Sequence, residues 1–445
     1  MRKFYYLLAI VAVAATSCQQ EVVYNNTPKE RTATEKSASP YAVSEEEALA
    51  RLDAELASLY GEETRANQRQ VRSIKPIKLN DISPVTRSSE LDVDNLLYIV
   101  EFEDGQGSAI LGADERVEGV LAILDNSALT AEDFDNAANN VKNDELSTYL
   151  AGAIANEAVE QASANPYVVI PDSSAFRVTI VERVEIANYH SVPCLDTCWG
   201  GNGFFNDYCV DSYGDDQNVP AWVVAAAQVI NENYTGTYLS LDGETFNMSL
   251  IRTITHDNPN PSVAAKTEVA RFLAKICELL NVNFDNISNT ADKNAMVDLF
   301  ETLPNYDMVG WTATSQGAYS FFDGSLKEAL YDNNTPFIME GVDDNIHMVW
   351  YWVIDGYSRA IYDNYECTYE GGILISREYV STISTRKVHC NFGKNGAYNG
   401  YYTYGIFDWA NPRTGNDFNA EDGDAVGTVV NTVYDSELKV FTYEL

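Results

Sequence analysis

The sequence predicts a mixed α+β fold in two parts, an α+β module followed by a larger domain with a buried central helix and an antiparallel sheet. Three observations indicate this class. Residues 44–164 read as a helix, a hairpin, a further strand and two more helices. A later helical segment is apolar nearly all round, and a Gly- and Tyr-rich set of strand patterns follows it.

The overall charge excludes several kinds of partner. The chain has 445 residues, with 29 Lys plus Arg against 66 Asp plus Glu, so its formal net charge is −37. Such a surface repels phosphate backbones and anionic lipid headgroups, so neither nucleic acid nor a bare membrane surface is an expected partner. The hydrophobic fraction of 45% is enough for packed cores and excludes a wholly disordered chain.

The N-terminus is typical of an exported bacterial lipoprotein. Arg2 and Lys3 precede an apolar run over 4–15 that is too short to span a bilayer. Small residues lead directly to Cys18, which predicts lipidation there; an ordinary signal with an incidental Cys18 is the alternative. We therefore expect a signal peptide over 1–18, a polar tether over 19–40, and lipid anchoring in the cell envelope, at the outer membrane or cell surface.

The α+β module is expected over 41–170. Ser44 is a good N-cap for a helix over 45–59 with an acidic first turn. Residues 61–92 are polar and read as loop. Strand patterns over 96–102 and 107–111 flank an Asp-Gly turn, which predicts a hairpin. A strand over 120–124 and helices near 131–142 and 144–164 complete the module.

The larger domain is expected over 185–445, where Gly, Tyr, Trp and Asn become frequent. Asn218 is a candidate N-cap and Pro220 a first-turn residue for the apolar helix over 221–231. Ser262 is expected to cap another helix. Strands are expected over 337–339, 348–354, 372–375, 385–391 and 398–406.

Several segments, taken together and in order, resemble the streptopain family of cysteine peptidases. LLYIVEFEDGQGSAILGADERVEGVLAI (96–123) and NDELSTYLAGAIANEAVEQA (143–162) resemble its inhibitory prodomain. WGGNGFFNDYC (199–209), PAWVVAAAQVI (220–230), YWVIDGY (351–357) and HCNFGKNGAYNGYYTYGIFD (389–408) resemble segments of its peptidase domain. The resemblance implies a papain-like, two-lobed domain behind a prodomain.

The residues that such a peptidase needs for catalysis are replaced. The resemblance places the nucleophile at Ala221, the general base at Trp350 and the oxyanion-hole Gln at Gly201. Alanine has no nucleophilic atom, indole cannot act as a base, and glycine offers no side-chain donor. Of the set only the His-orienting Asn is retained, as Asn391, and its Trp neighbour is replaced by Phe392.

Three substitutes for the missing groups are weaker candidates. His347 lies three positions before Trp350, an offset that points to the opposite face of a strand. His389 and Cys390 are neighbours in a strand pattern, so they also face opposite ways. Cys209 precedes Ala221 by twelve residues and could be a displaced nucleophile, but a packed thiol or a disulfide partner is the simpler interpretation.

Metal sites are possible at two places, and neither is favoured. His190, Cys194, Cys198 and Cys209 are ligand types that zinc accepts, but their spacing is irregular and an exported protein more often buries or pairs such cysteines. The acidic run over 421–424 lacks the spaced ligands of a calcium loop and reads as a solvated turn. We expect no metal and no cofactor.

The sequence thus predicts a streptopain-like homologue that has lost catalysis and binds a peptide or protein ligand in its cleft, with the membrane contacted only through its lipid. An active cysteine endopeptidase with a rearranged site is the alternative. A weaker third hypothesis is an inhibitor, in which the prodomain-like module acts on active relatives.

Overall fold

A computed structural model of the chain describes residues 41–60, 69–78, 95–139, 146–164, 177–258, 260–304, 306–313, 322–343, 348–371, 373–403, 406 and 438–444. The predicted signal peptide, Cys18, the tether, His347 and the acidic run over 421–424 lie outside these ranges. The described residues form two compact units. The described residues of the smaller unit are 177–187, 361–371 and 373–384. The larger unit comprises all the other described residues, so it includes both the α+β module and most of the larger domain.

Seven α-helices are described: α1 (Glu45–Tyr60), α2 (Ala131–Ala138), α3 (Leu146–Ala164), α4 (Ala221–Asn233), α5 (Met248–Ile251), α6 (Val263–Leu279) and α7 (Lys293–Thr302). Single turns of 3-10 helix cover Glu103–Gly105 and Gly203–Asn206, and a π-helix covers Phe322–Asp332.

The described strands are β1 (Val71–Lys78), β2 (Asn95–Phe102), β3 (Ser108–Gly112), β4 (Val120–Leu124), β5 (Arg177–Ser191), β6 (Tyr238–Leu241), β7 (Glu244–Asn247), β8 (Asp307–Ala313), β9 (Phe337–Asp343), β10 (Met348–Glu370), β11 (Ile373–Asn391), β12 (Gly400–Thr403) and β13 (Leu438–Glu444). Eleven of them form one sheet, in the order β1-β2-β3-β4-β12-β11-β10-β9-β13-β8 with β5 paired to β10, and β6 and β7 form a separate hairpin.

Most helix predictions are confirmed, including two of the three caps. Ser44 Oγ accepts a hydrogen bond from Glu47 N over 3.2 Å, and Ser262 Oγ accepts one from Ala265 N over 3.2 Å. The prediction for α4 is wrong in one detail, since Pro220 is the N-cap and Asn218 lies outside the helix. Because the proline side chain carries no hydrogen-bond acceptor, the helix begins without a side-chain cap.

Each predicted strand overlaps a strand of the fold, but the bounds differ. The segments over 372–375 and 385–391 lie at the two ends of the single strand β11, and β12 covers Gly400–Thr403 of the strand expected over 398–406. The hairpin of β2 and β3 turns through Asp104 and Gly105, both with φ in the left-handed region, at 56° and 69°. The loop prediction over 61–92 is wrong where β1 forms, and β10 and β11 are far longer than expected. The sequence analysis also missed α5, α7, the π-helix and the strands β5, β6, β7, β8 and β13.

The module packs as a three-layer unit. Successive residues of β2 alternate between the two faces of the sheet. Leu97 and Ile99 join a core that contains α3, which we call the sheet core. Tyr98 and Val100 join a smaller core under α1. Strands β2, β3 and β4 are therefore buried on both faces, which explains their nearly continuous apolar sequence.

A second large core, which we call the helix core, surrounds α4. Trp222, Val223, Val229 and other α4 residues are buried there with residues of α6 and α7. Strand β10 divides the two cores, because Tyr351 faces the helix core while Trp352 faces the sheet core. The prediction of a buried central helix against an antiparallel sheet is confirmed, and the fold class is α+β.

The described residues of the smaller unit belong mainly to β5, β10 and β11. A hydrogen bond of 3.1 Å joins the hydroxyls of Thr179 and Thr368, and the Tyr369 hydroxyl donates to the Glu182 carboxylate. No helix within the described ranges is both long enough and apolar enough to cross a bilayer.

Candidate functional site

The predicted nucleophile position lies at the start of α4. Ala221 is the first residue of this helix, directly after Pro220, and its side chain is partly buried against the helix core. A helix N-terminus presents free backbone N–H groups and stabilises negative charge, which is where a thiolate would benefit. The backbone feature that favours a thiolate is therefore present, while the side chain that would carry one is a methyl group.

The predicted oxyanion position is closed by the backbone of the preceding loop. Val219 N donates to Gly201 O over 2.8 Å, which ties the loop directly before Ala221 to Gly201. A Cβ on Gly201 would lie 2.2 Å from Val219 O, closer than any real contact of this kind. The position thus lacks a Gln side chain and also has no room for the first atom of one.

The residue at the predicted base position contacts one aromatic and one cationic side chain. Trp350 is partly buried against the sheet core, with its ring centroid 6.2 Å from that of Tyr149 on α3. Lys394 Nζ lies 4.8 Å from the Trp350 ring centroid, within the range of a cation–π contact. Among the described residues, the buried Trp350 Nε1 has no hydrogen-bond partner. Residues of the prodomain-like module and of the larger domain therefore both contact this side chain.

Asn391 is committed to a closed network that leaves it no role as a histidine partner. Its Nδ2 donates to Thr197 O over 2.8 Å, and its Oδ1 accepts from Gln228 Nε2 over 3.3 Å and from Gly393 N over 3.1 Å. Thr197 Oγ1 in turn donates to Gln228 Oε1 over 2.8 Å. Because Gln228 is on α4 and Asn391 is on β11, the network fixes the helix against the sheet.

His389, one of the weaker candidates, is held between two carboxylates. Its Nδ1 lies 2.6 Å from Asp355 Oδ1 on β10, and its Nε2 lies 3.0 Å from Asp125 Oδ2, directly after β4. Burial alone would lower the pKa of His389, but the charges and hydrogen bonds of Asp355 and Asp125 outweigh it and raise the pKa to about 10. A histidine that stays protonated at neutral pH cannot act as a general base.

The carboxylates respond differently to this contact. Burial would raise the pKa of Asp125, but the hydrogen bond and charge of His389, followed by Arg69, lower it to about 2. Burial dominates at Asp355 and raises its pKa despite the neighbouring imidazolium. Groups that face His389 from other elements are Tyr401 on β12 and, at longer range, His190 on β5.

The neighbouring cysteines do not replace the missing nucleophile. Cys390 faces the sheet core, opposite to His389 as predicted, and complete burial raises the pKa of its thiol well above the ordinary value. Cys209 is fully buried in the helix core, and in the described part of the chain its thiol partner is Cys277 of α6 rather than a histidine. Within the described ranges, no three His, Cys, Asp or Glu side chains are grouped to hold a metal ion.

Comparisons with known proteins agree with the resemblance seen in the sequence. Residues 199–402 match the model of the Peptidase C10 family, a range that includes Gly201, Ala221, Trp350 and Asn391. No curated protein matches the chain.

Two solved structures from Prevotella intermedia are similar. A fragment of prointerpain A with a cysteine-to-alanine mutation is 16% identical, with a TM-score of 0.45 over 83% of this chain and 98% of that one. The active wild-type interpain A cysteine protease is 15% identical, with a TM-score of 0.34 over 48% of this chain and 87% of that one. The family match extends over residues 199–402, so this part of the chain is similar to the Peptidase C10, or streptopain-family, peptidases.

Proposed function

We propose that this protein is a non-catalytic homologue of the Peptidase C10 cysteine peptidases, which binds a peptide or protein ligand in the cleft beside α4. The observation that carries the proposal is the pair Ala221 and Gly201. A methyl group stands at the start of the helix where the thiolate is expected, and the Val219 carbonyl oxygen fills the space beside Gly201. Loss of both groups removes nucleophilic attack and stabilisation of its oxyanion.

Retention of the surrounding frame supports a binding role. The Thr197, Gln228 and Asn391 network still fixes α4 against the sheet, and α4 is still buried on all sides. The loss of the reactive groups leaves this packing intact. A protein that no longer hydrolyses its ligand can hold it instead.

The test of inactivity uses purified residues 19–445 with fluorescent casein, with and without a thiol alkylator. The expected result is no cleavage that the alkylator abolishes. The double variant Ala221→Cys, Trp350→His is run beside it, since activity there would show that the frame can still support catalysis. Alkylator-sensitive cleavage by the unmodified chain would overturn the proposal and favour an active endopeptidase with a rearranged site.

The test of binding uses fluorescently labelled peptides from a casein digest and measures anisotropy. Ala221→Trp should weaken binding because it fills the start of the cleft. Val263→Trp is the matched control, since Val263 is 79% exposed at the start of α6. Equal affinities for both variants and the unmodified chain would argue against a ligand site beside Ala221.

The location proposed for this binding protein is the bacterial cell envelope, with attachment through a lipid on Cys18. The basis is the sequence pattern of residues 1–18. Labelling with a fatty-acid analogue in a bacterial host should modify the full chain and spare the variant Cys18→Ser. Labelling of both forms, or of neither, would refute the anchor.

A further inference from the structure

We infer that residues 41–164 are a permanent structural part of the fold, bound to the larger domain through two buried ionic clusters on β11, and that they stay bound when the chain is cut between α3 and β5. The inference concerns assembly and does not depend on the proposed function. It rests on backbone pairing, on the two clusters and on shared packing, taken in turn below.

The first observation is that the sheet runs without a break from the module into the larger domain. Strand β12 pairs antiparallel with β4, with Tyr401 opposite Ile123 and Tyr402 opposite Ala122. Gly400 has a φ of 157°, and a Cβ there would lie 2.1 Å from Ile123 O. The two backbones thus approach so closely that only glycine fits. Removal of the module would turn β12 into an exposed edge strand, which invites aggregation.

The second observation is a buried lysine whose counter-charges both come from the module. Lys387 on β11 is only 4% exposed, and its Nζ lies 2.9 Å from Glu118 Oε1 and 3.0 Å from Glu55 Oε1. Burial alone would lower the pKa of Lys387, but the two carboxylates outweigh it and raise the pKa. Without the module, a buried ammonium group would lose both partners, which is strongly destabilising.

The third observation is the His389 cluster, two residues further along β11. Asp125 belongs to the module, while Asp355 and His389 belong to the larger domain. Asp125 also accepts hydrogen bonds of 3.1 Å each from Arg69 and from the Tyr60 hydroxyl. The His389 imidazolium therefore contacts one carboxylate of the larger domain and one of the module. Arg69 and Tyr60, both in the module, hold the Asp125 carboxylate in place.

Apolar packing crosses the same boundary. The rings of Tyr60 on α1 and Tyr401 on β12 meet edge to face with centroids 5.9 Å apart. The sheet core contains Tyr149 and Leu150 of α3 together with Tyr402 of β12. The module and the larger domain therefore share apolar packing as well as charges across this boundary.

The test replaces part of residues 165–176 of the full chain with the recognition sequence of a site-specific protease and cuts it there. Size-exclusion chromatography and native mass spectrometry at about 1 μM and pH 7 then report whether the pieces separate. We expect both pieces at the mass of the uncut protein, with one cooperative unfolding transition. Separation of the pieces under these conditions would overturn the inference.

Variants of the cut protein test whether the Lys387 cluster holds the pieces together. Lys387→Met should raise the dissociation rate at least tenfold. Lys293→Met is the matched control, because Lys293 Nζ pairs with buried Glu340 over 2.7 Å within the larger domain. If Lys387→Met does not fold, Glu118→Gln decides, since it weakens the same pair from a partly exposed position. Dissociation unchanged by either cluster variant, or raised equally by the control, would also overturn the inference.

Discussion

The carbonyl oxygen of Val219 occupies the place where a side chain on Gly201 would begin. A Cβ on Gly201 would lie 2.2 Å from this oxygen. The hydrogen bond from Val219 N to Gly201 O keeps the two loop segments close together. Restoring the family's residue at this position therefore requires movement of the loop that leads into α4.

Gly201→Ala should destabilise the protein by about 1–3 kcal/mol, because the added methyl group forces the backbone apart. The matched control is Gly310→Ala, where a Cβ would meet no atom of the described residues within 4 Å. Denaturant unfolding measures both free energies. If Gly201→Ala lowers the free energy of unfolding no more than Gly310→Ala does, the loop before α4 moves easily. The conclusion that the backbone closes the oxyanion position would then be wrong.

The free energy of unfolding should fall as the pH rises from about 6.5 toward 10. In this range the unfolded chain loses the proton on His389, while the folded protein keeps it. The pKa of this imidazole is raised to about 10 in the folded protein, so the folded state holds one proton more than the unfolded state over this window. Linkage gives a loss of about 1.4 kcal/mol per pH unit from this single group. The contribution is fully present below the unfolded pKa of His389.

A second loss is expected in acid. The pKa of Asp125 is lowered to about 2, so its contribution is present above its ordinary value and declines as the pH falls from about 4 to 2. Free energies of unfolding measured across pH for the unmodified chain and for His389→Gln isolate the effect. Parallel curves between pH 6.5 and 10 would contradict the assignment of a protonated His389.

A thiol introduced at Ala221 should be a poor nucleophile. In Ala221→Cys, the rate of alkylation by iodoacetamide should rise with a midpoint above about pH 7, because no imidazole lies at Trp350 to stabilise the thiolate. A His-paired thiolate titrates near pH 3–4 instead. The unmodified chain gives the background from the native cysteines. A midpoint below about pH 5 in the single variant would reveal another base beside α4.

The double variant Ala221→Cys, Trp350→His gives the matched comparison for this measurement. A lower midpoint in the double variant than in Ala221→Cys would mean that position 350 reaches the thiol, as the family resemblance requires. Equal midpoints would mean that Tyr149 and the sheet core keep the side chain at position 350 away from α4.

Local patterns were enough to predict many elements. The cap at Ser44, the Asp-Gly turn between β2 and β3, and the all-apolar run of α4 each depend on a few neighbouring residues. Strand β5 was missed although Val178, Ile180, Val184 and Ile186 lie on one side of a period of two in its sequence, RVTIVERVEIANYHS. The order of residues 181 and 182 breaks the alternation in the middle of this run. Strand β13 was missed because its pairing with β8 and β9 joins segments far apart in the chain.

The sequence by itself determined the α+β class, the family resemblance and the residue types at 201, 221, 350 and 391, because these are properties of short segments. Only the tertiary structure decided what surrounds them. His389 meets Asp125 across 264 positions of sequence, and Lys387 meets Glu118 across 269. Such pairs arise when β4 and β12 join in one sheet, and no local pattern of charge or hydrophobicity encodes that register. The sequence therefore predicts the module and the larger domain as separate segments, whereas in the fold they share one sheet.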